Sequence, residues 1–302
     1  MAHQLRILVL GSAAGGGFPQ WNCLCRVCQL AWRGDPRVKS RSQSSLAVSA
    51  DGERWLLLNA SPDLRQQIIA TPDLHPRGAR RQSPISAVFI TNADVDHLAG
   101  LLTLRESQSF TLFGSAATLA QSEKGIFAVL NPRFVERRIV SLDESTDTGL
   151  GLFVTPFAVP GKVALYLEGK DVAVGAETET TIGLRVSDGE KSFFYVPGCA
   201  AINDSVVSRL TRAALVFFDG TTFTDSEMVD LGLSHKTAWR MGHVAMSGDK
   251  GSLKVLHACE IGRKIYVHIN NTNPVLVEDS PERAEVARLG WEIAFDGMEV
   301  IL

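Results

Sequence analysis

The chain has no apolar run long enough to cross a bilayer. Its first hydrophobic stretch, Leu5 to Leu10, runs straight into Gly-Ser-Ala-Ala-Gly-Gly-Gly, far short of the roughly 20 residues a spanning helix needs. It is also too short for a signal-peptide core and has no convincing cleavage site after it, so it reads as the first strand of a cytoplasmic protein. No excess of basic charge is present either. With 30 Lys and Arg against 33 Asp and Glu, the net charge is −3 and the isoelectric point near 6.2, which argues against a nucleic-acid surface. The basic clusters Arg77 to Arg81 and Arg133 to Arg138 sit beside proline and polar residues and read as solvated faces. Cysteine is sparse: five in 302 residues, three of them crowded together, do not make a disulfide framework. The chain has no repeat and no low-complexity tract. A dinucleotide fingerprint is missing too. Gly11-Ser-Ala-Ala-Gly15-Gly16-Gly17 follows a strand, but its spacing is not Gly-x-Gly-x-x-Gly, and Phe18-Pro19 stands where a phosphate-binding helix would begin. Close backbone approach with positive φ beside the cysteine loop is the better reading.

What is present is a hydrophobic content of 45 %, enough to bury a large core in one domain spanning 1–302. Strand-like runs are read at Arg6–Leu10, Ser45–Val48, Trp55–Asn59, Ala87–Ile90, Phe153–Thr155, Val163–Leu167, Ile182–Ser187, Ser192–Val196, Leu215–Asp219 and Lys264–His268. Helical stretches are read at Pro62–Ala70, Leu98–Glu106, Asp204–Thr211, Lys250–Cys259 and Pro281–Leu289. Segments 141–151 and 168–181 are polar and read as loops. The alternation predicts a layered α/β sandwich with some hairpins.

Two clusters carry chemistry. Cys23-x-Cys25-x-x-Cys28 is spaced so that three sulfurs reach one centre at about 2.3 Å, and structural zinc is the expectation, with a fourth ligand from elsewhere. A redox role for Cys25-x-x-Cys28 would need a helix start to lower a thiol pKa, and none is read there. Cys199 and Cys259 read as core residues. The second cluster, Asp94, Asp96 and His97, lies on the turn between a buried strand and a helix, where two carboxylates and an imidazole suit a divalent cation. Helix capping by the aspartates is the competing explanation. His3 is terminal, and His75, His235 and His257 read as exposed or packed. His243, in Met-Gly-His-Val on a mobile loop, and His268, at a strand end before a polar turn, are set apart as site candidates.

Asn92-x-Asp94-x-Asp96-His97-x-x-Gly100 resembles the metallo-β-lactamase motif His-x-His-x-Asp-His-x-x-Gly with its first two histidines replaced. Asn59-Ala-Ser-Pro-Asp63, Leu215–Asp219-Gly-Thr, Met241-Gly-His243 and Val267-His268 follow in the order of that superfamily's later motifs. The segments from Gly11 to Cys25 and from His268 to Pro274 are similar to those of the coenzyme PQQ synthesis protein B family within it. The resemblance covers most of the chain. It implies an αββα four-layer sandwich with a zinc-binding loop at 18–30. A related phosphodiesterase group closes a similar cysteine zinc site with a histidine three residues past the last metal histidine. That position here is Asn271, which leaves the fourth zinc ligand open.

The departures from the motif shape the chemistry. With Asn92 and Asp94 for histidines, no histidine near Val159–Gly161 and the bridging Asp position falling near Pro197-Gly198, the first metal site of a two-metal hydrolase is mostly gone. What the resemblance leaves is Asp96, His97 and His268 at the second. Two imidazoles and a carboxylate match the non-haem iron(II) set, and zinc accepts it too. The resemblance implies a role in pyrroloquinoline quinone (PQQ) biosynthesis: Fe²⁺- and O₂-dependent hydroxylation of the tyrosine ring of a Glu-Tyr-derived precursor. Asp94 would add a ligand or orient a water, His243 would shuttle a phenolic proton, and Asp219 joins them as a catalytic candidate. The expected partners are that small-molecule precursor and O₂, with no nucleic acid and no membrane, and a homodimer is the assembly considered. The alternatives are a soluble carrier of PQQ or its precursor toward the periplasm, and a metal-dependent hydrolase.

Overall fold

The computed structural model describes residues 4–302, so His3 lies outside it. The described strands are β1 (Arg6–Gly11), β2 (Ser45–Ser49), β3 (Trp55–Leu58), β4 (Ile85–Phe89), β5 (Phe110–Gly114), β6 (Val135–Ile139), β7 (Thr146–Asp147), β8 (Phe153–Gly161), β9 (Ala176–Ser187), β10 (Ser192–Val196), β11 (Leu215–Asp219), β12 (Arg263–Val267), β13 (Trp291–Ile293) and β14 (Glu299–Ile301). They form two seven-stranded sheets, ordered β14-β1-β2-β3-β4-β5-β6 and β13-β12-β11-β10-β9-β8-β7. Each sheet is antiparallel in one half and parallel in the other: β3 to β6 run parallel in the first, and β10 to β13 in the second.

Residue alternation explains the layering. Ile7, Val9, Leu46, Val48, Leu56, Leu58 and Phe89 from one sheet meet Val154, Leu184, Val186, Phe193, Phe217 and Ile265 from the other, making the core between them. The alternate residues, Leu8, Leu57, Val88 and Leu112, face outward onto Leu64, Leu98 and Leu101. On the far side Val216, Phe218 and Tyr266 meet Val206, Leu253 and Val286 of the second helical layer. Because both faces of each sheet are covered, β3 and β11 are buried at every position and read as unbroken apolar runs. The result is the αββα sandwich expected.

The sequence reading is corrected in several places. Val163–Leu167 is no strand. β8 ends its pairing at Gly161, and Leu165–Leu167 form an exposed 3-10 turn whose alternating apolar residues imitate a strand pattern. Within the supposed loop 168–181, residues from Ala176 onward belong to the long strand β9, whose polar outer arm stands in solvent. The helix read from Leu98 is one α turn, Val95–Leu98, followed by 3-10 backbone over Ala99–Leu104, and Lys250–Cys259 divides in the same way. A helix at Arg26–Trp32 and strands β5, β6, β7, β13 and β14 are additional, β7 being a two-residue pairing with β8 inside the segment 141–151 read as a loop.

Candidate metal centre and catalytic cleft

The site lies where β4, β11 and β12 end, at the carboxyl edge of parallel strands, where the chain leaves the sheet and side chains converge. Asp96 and His97 ride on the turn Val95–Leu98 after β4. Asp219 is the last residue of β11, and His268 follows β12 with φ +56°. His243 comes from a separate helical turn, Ala238–Met241, ended by Gly242 at φ +95°. Asp96, His97, Asp94, His243 and His268 all line one cleft of about 390 Å³. The glycine loop forms its floor, since a Cβ on Gly15 would stand 3.4 Å from the Asp96 carboxyl carbon. Gly16 and Gly17 take the positive φ read for them. A neighbouring cleft of about 380 Å³, walled by Val95, Leu98, Ile126 and Phe127, is apolar and gathers no acid or histidine.

Capping does not account for the aspartates. Asp94 holds the N-cap position but makes no capping hydrogen bond; its Oδ2 accepts instead from Asn92 Nδ2 at 2.9 Å. Asn92 Oδ1 receives the Asp94 N–H at 3.0 Å, which fixes the amide's orientation. The same oxygen lies 2.7 Å from His97 Nδ1, so that nitrogen carries the ring hydrogen and Nε2 has the lone pair. His97 Nε2 is buried without any partner. Burial also holds the ring neutral, its pKa down at about 4 despite Asp96 nearby. Thr91 backs this arrangement, with its N–H and hydroxyl both directed at Asn59 Oδ1.

His97 Nε2 lies 3.8 Å from Asp96 Oδ2, and His268 Nε2 lies 2.9 Å from the same oxygen. Burial would raise the Asp96 pKa, but His97 and the His268 hydrogen bond outweigh it and keep the carboxylate ionised. Asp94 is pushed the other way, first by burial and then by Asp96. A buried, neutral, unpartnered imidazole nitrogen beside a carboxylate and a second imidazole fits a divalent cation, with Asn92 and Thr221 orienting the rings from behind. Asp94 lines the cleft but stands outside this converging set.

Asp219, His243 and His268 form a second close group, but the Asp219 carboxylate is already saturated. Its Oδ2 accepts from Cys199 N–H (2.9 Å) and His243 Nδ1–H (2.7 Å), and its Oδ1 from Thr221 N–H (3.0 Å) and the Thr221 hydroxyl (2.7 Å). Fully buried, with four donors, it has no lone pair left for a metal. Burial opposes its charge, yet His243 outweighs that and its pKa is lowered. Thr221 Oγ1 also lies 2.9 Å from His268 Nδ1, so one hydroxyl ties the metal triad to the Asp219–His243 pair. His243 is therefore pinned rather than mobile, with Nε2 as its free nitrogen on the cleft.

The three cysteines read as one centre come together as expected, their sulfurs within 4.8 Å of one another. Contrary to the sequence reading, Cys25 is the N-cap of the helix Arg26–Trp32, and its sulfur accepts the Cys28 N–H. The neighbouring Cys25 thiol, then Asn271, lowers the Cys28 pKa to about 7. Asn271 sits over the cluster with Nδ2 3.2 Å from Cys28 Sγ. Its amide must turn over to offer oxygen. Cys199 and Cys259 are buried and His75, His235 and His257 exposed, as read. Asn59, Thr91 and Thr221 were not picked out as site residues; polar side chains closing apolar strands were the signal available.

A model of the β-lactamase superfamily domain matches residues 54–269. The coenzyme PQQ synthesis protein B of Methylorubrum extorquens (strain PA1) is 54 % identical over 299 residues, covering 99 % of this chain and 100 % of its own. That of Xanthomonas euvesicatoria pv. vesicatoria (strain 85-10) is 49 % identical over 302 residues, with the same coverage. The crystal structure of Zn²⁺-bound PqqB from Methylobacterium extorquens matches with a TM-score of 0.96 at 54 % identity, over 98 % of this chain and 100 % of that one. A diphosphatase of the PhnP family, at 19 % identity, covers 99 % of this chain and 97 % of its own with a TM-score of 0.69 and shares the fold. By the superfamily domain and these full-length relatives together, the chain belongs to the coenzyme PQQ synthesis protein B family of the metallo-β-lactamase superfamily.

Proposed function

We propose that the chain hydroxylates the tyrosine ring of a Glu-Tyr-derived precursor during PQQ biosynthesis, with iron(II) held by Asp96, His97 and His268. Family membership supports the role in PQQ biosynthesis. The single observation behind the chemistry is the unpartnered, buried His97 Nε2 facing Asp96 beside His268 Nε2. Iron(II) held by these three residues would supply the redox chemistry that a reaction with O₂ needs. Aromatic hydroxylation places one oxygen atom of O₂ on the ring and the other in water, and consumes two electrons and two protons, so an external two-electron reductant is part of the reaction. His243 takes the phenolic proton on Nε2 while Asp219 holds its Nδ1–H and favours the imidazolium that forms. Asn92 keeps His97 in the ligating tautomer. The saturation of Asp219 disfavours a two-metal hydrolase, which needs ions roughly 3.5–4 Å apart with carboxylates free to hold both.

Cys23, Cys25 and Cys28 are assigned to structural zinc, an assignment the zinc-bound relative supports. Asn271, with its amide turned, or a water would complete the tetrahedron. Zinc in that relative motivates a second reading, a protein that holds zinc and carries PQQ or its precursor without redox chemistry. Elemental analysis of anaerobically purified protein, with O₂ uptake on adding precursor and reductant, separates the two. Iron near one equivalent alongside zinc, with precursor-dependent uptake, supports the hydroxylase. Zinc alone, with no uptake after iron is added back, refutes it.

A further inference from the structure

One wall of the cleft is basic. Lys162 and Lys236 both line the cleft, and with Arg240 they surround a single carboxylate. Lys162 Nζ lies 2.9 Å from Glu168 Oε1, Arg240 Nη2 3.0 Å from Oε2, and Lys236 Nζ 3.9 Å from Oε2. Three positive groups thus face one negative group. Lys162 and Glu168 are each only 9 % exposed, so the ammonium is held in place rather than waving in solvent. Its position is built into the fold: the Lys162 stem passes over Gly242, where an added Cβ would come within 3.1 Å of its Cγ. Gly242 in turn precedes His243. A surface ion pair would need neither a second and third cation nor a glycine cut away beneath the stem. With a divalent ion meeting the charge of Asp96, and Asp94 and Glu168 the acids facing Lys162, the three cations of this wall still leave surplus positive charge toward the cleft.

We propose that Lys162 and Lys236, set by Glu168 and Arg240, form a carboxylate-binding cradle that anchors an acidic substrate while its ring lies at Asp96, His97, His268 and His243. The inference rests on the reading of the substrate as a Glu-Tyr-derived amino acid, and it identifies the groups that select its carboxylates. Glu168 is the template: it spaces the cations when the cleft is empty and shares them when a carboxylate enters. Arg240, with both Nη1 and Nη2 on Glu168 (3.2 and 3.0 Å), is a positioning residue.

The test is binding of PQQ, a tricarboxylate, and of its trimethyl ester to the zinc-loaded full-length protein, followed by tryptophan fluorescence and equilibrium dialysis. The cradle predicts that wild type prefers PQQ over the ester and that this preference weakens with salt. Lys162→Met and Lys236→Met should each weaken PQQ binding roughly 10- to 100-fold, the range for a hydrogen bond to a charged group, and leave ester binding unchanged. Glu168→Gln, which removes the competing charge, should tighten PQQ binding several-fold. A purely structural ion cluster predicts the reverse for Glu168→Gln: a lower melting temperature and no gain in binding. Should Lys162→Met fail to fold, Lys236→Met, at a side chain 37 % exposed, decides the matter. Equal affinity for PQQ and ester in wild type, or unchanged binding in Lys236→Met, overturns the proposal. Precursor turnover by iron-loaded enzyme keeps the two inferences apart. No turnover with the carboxylate preference intact overturns the hydroxylase alone; turnover with unchanged KM in both lysine variants overturns the cradle alone.

Discussion

Asp219→Asn is the sharpest probe of the network behind the cleft, because each oxygen of this carboxylate faces one backbone N–H that cannot move. Cys199 N–H points at Oδ2 and Thr221 N–H at Oδ1. Whichever way the asparagine amide is turned, its NH₂ meets a backbone donor, so that N–H loses its acceptor and an amide hydrogen finds none; turned toward Cys199 the amide also deprives His243 of its acceptor, whereas the Thr221 hydroxyl keeps the His268 carbonyl. At a fully buried position each unsatisfied donor costs about 1–3 kcal/mol. Two of them give roughly 2–6 kcal/mol, and in a chain of this length about 1 kcal/mol moves Tm by some 2 °C. A fall of roughly 4–12 °C is therefore expected in a thermal melt. Turnover should drop about 10²–10⁴-fold through the lost orientation of His243, while iron at Asp96, His97 and His268 stays at the wild-type level. Elemental analysis on the same samples separates this from metal ligation. An Asp219→Asn protein that melts with wild type and turns over normally refutes the four-donor network; one that has lost its iron makes Asp219 a ligand.

His97→Ala and His268→Ala should each lose the iron and keep the zinc, since nitrogen and oxygen donors and thiolates bind independently; full iron occupancy in either would return that histidine to packing. His243→Ala should retain metal and slow turnover about 10²–10⁴-fold, an outcome that wild-type rates would contradict. Cys25→Ser removes a thiolate while leaving a hydroxyl to cap the helix Arg26–Trp32, so zinc content and Tm should fall together through the lost metal alone; unchanged values in both would show the cluster to be unmetallated. Glu227 supplies a pH signature away from the metals. Buried, with Phe223 N–H and Thr272 as partners, its carboxyl is pushed up to about 7 by burial. A carboxyl raised in the folded state stabilises the protein most below its ordinary value near 4.5 and loses that contribution as pH rises toward about 7, by an amount of order 3 kcal/mol. Glu227→Gln should therefore gain stability relative to wild type between pH 5 and 8 in urea titrations, and parallel curves would refute the assignment.

Most strands covered on both faces were legible, although the interior strand β5, short and broken by Thr111, was not. In β3, β10 and β11 the apolar run is the strand, and its limits could be read within a residue. Strands at the sheet edges or with solvated arms escaped, because β6 with Glu136, Arg137 and Arg138, and the outer part of β9, bury too little to leave a pattern. Leu165–Leu167 fails in the opposite sense: its apolar residues read as part of a strand, although they stand exposed beside the cleft.

The candidate site was legible in its ligand types and illegible in its supports, for a reason rooted in sequence distance. Asp96 and His97 are neighbours and the three cysteines lie within six residues, so local spacing brings each set together before any fold is known. Thr221 reaches His268 across 47 residues and Asn59 reaches Thr91 across 32, and nothing in the spacing links them. Those contacts exist only because β3 lies beside β4 and β11 beside β12 with their ends aligned. The hydrogen bonds that fix each imidazole tautomer are therefore a product of sheet register. The polar turn at 268–273 shows the same dependence at larger scale: His268 faces Asp96, Asn271 faces the cysteines, and Asn273 is anchored on the Gly220 carbonyl at 3.0 Å. One short segment thus contributes to both candidate metal sites, and its placement is set by the ends of β11 and β12 rather than by any spacing along the chain.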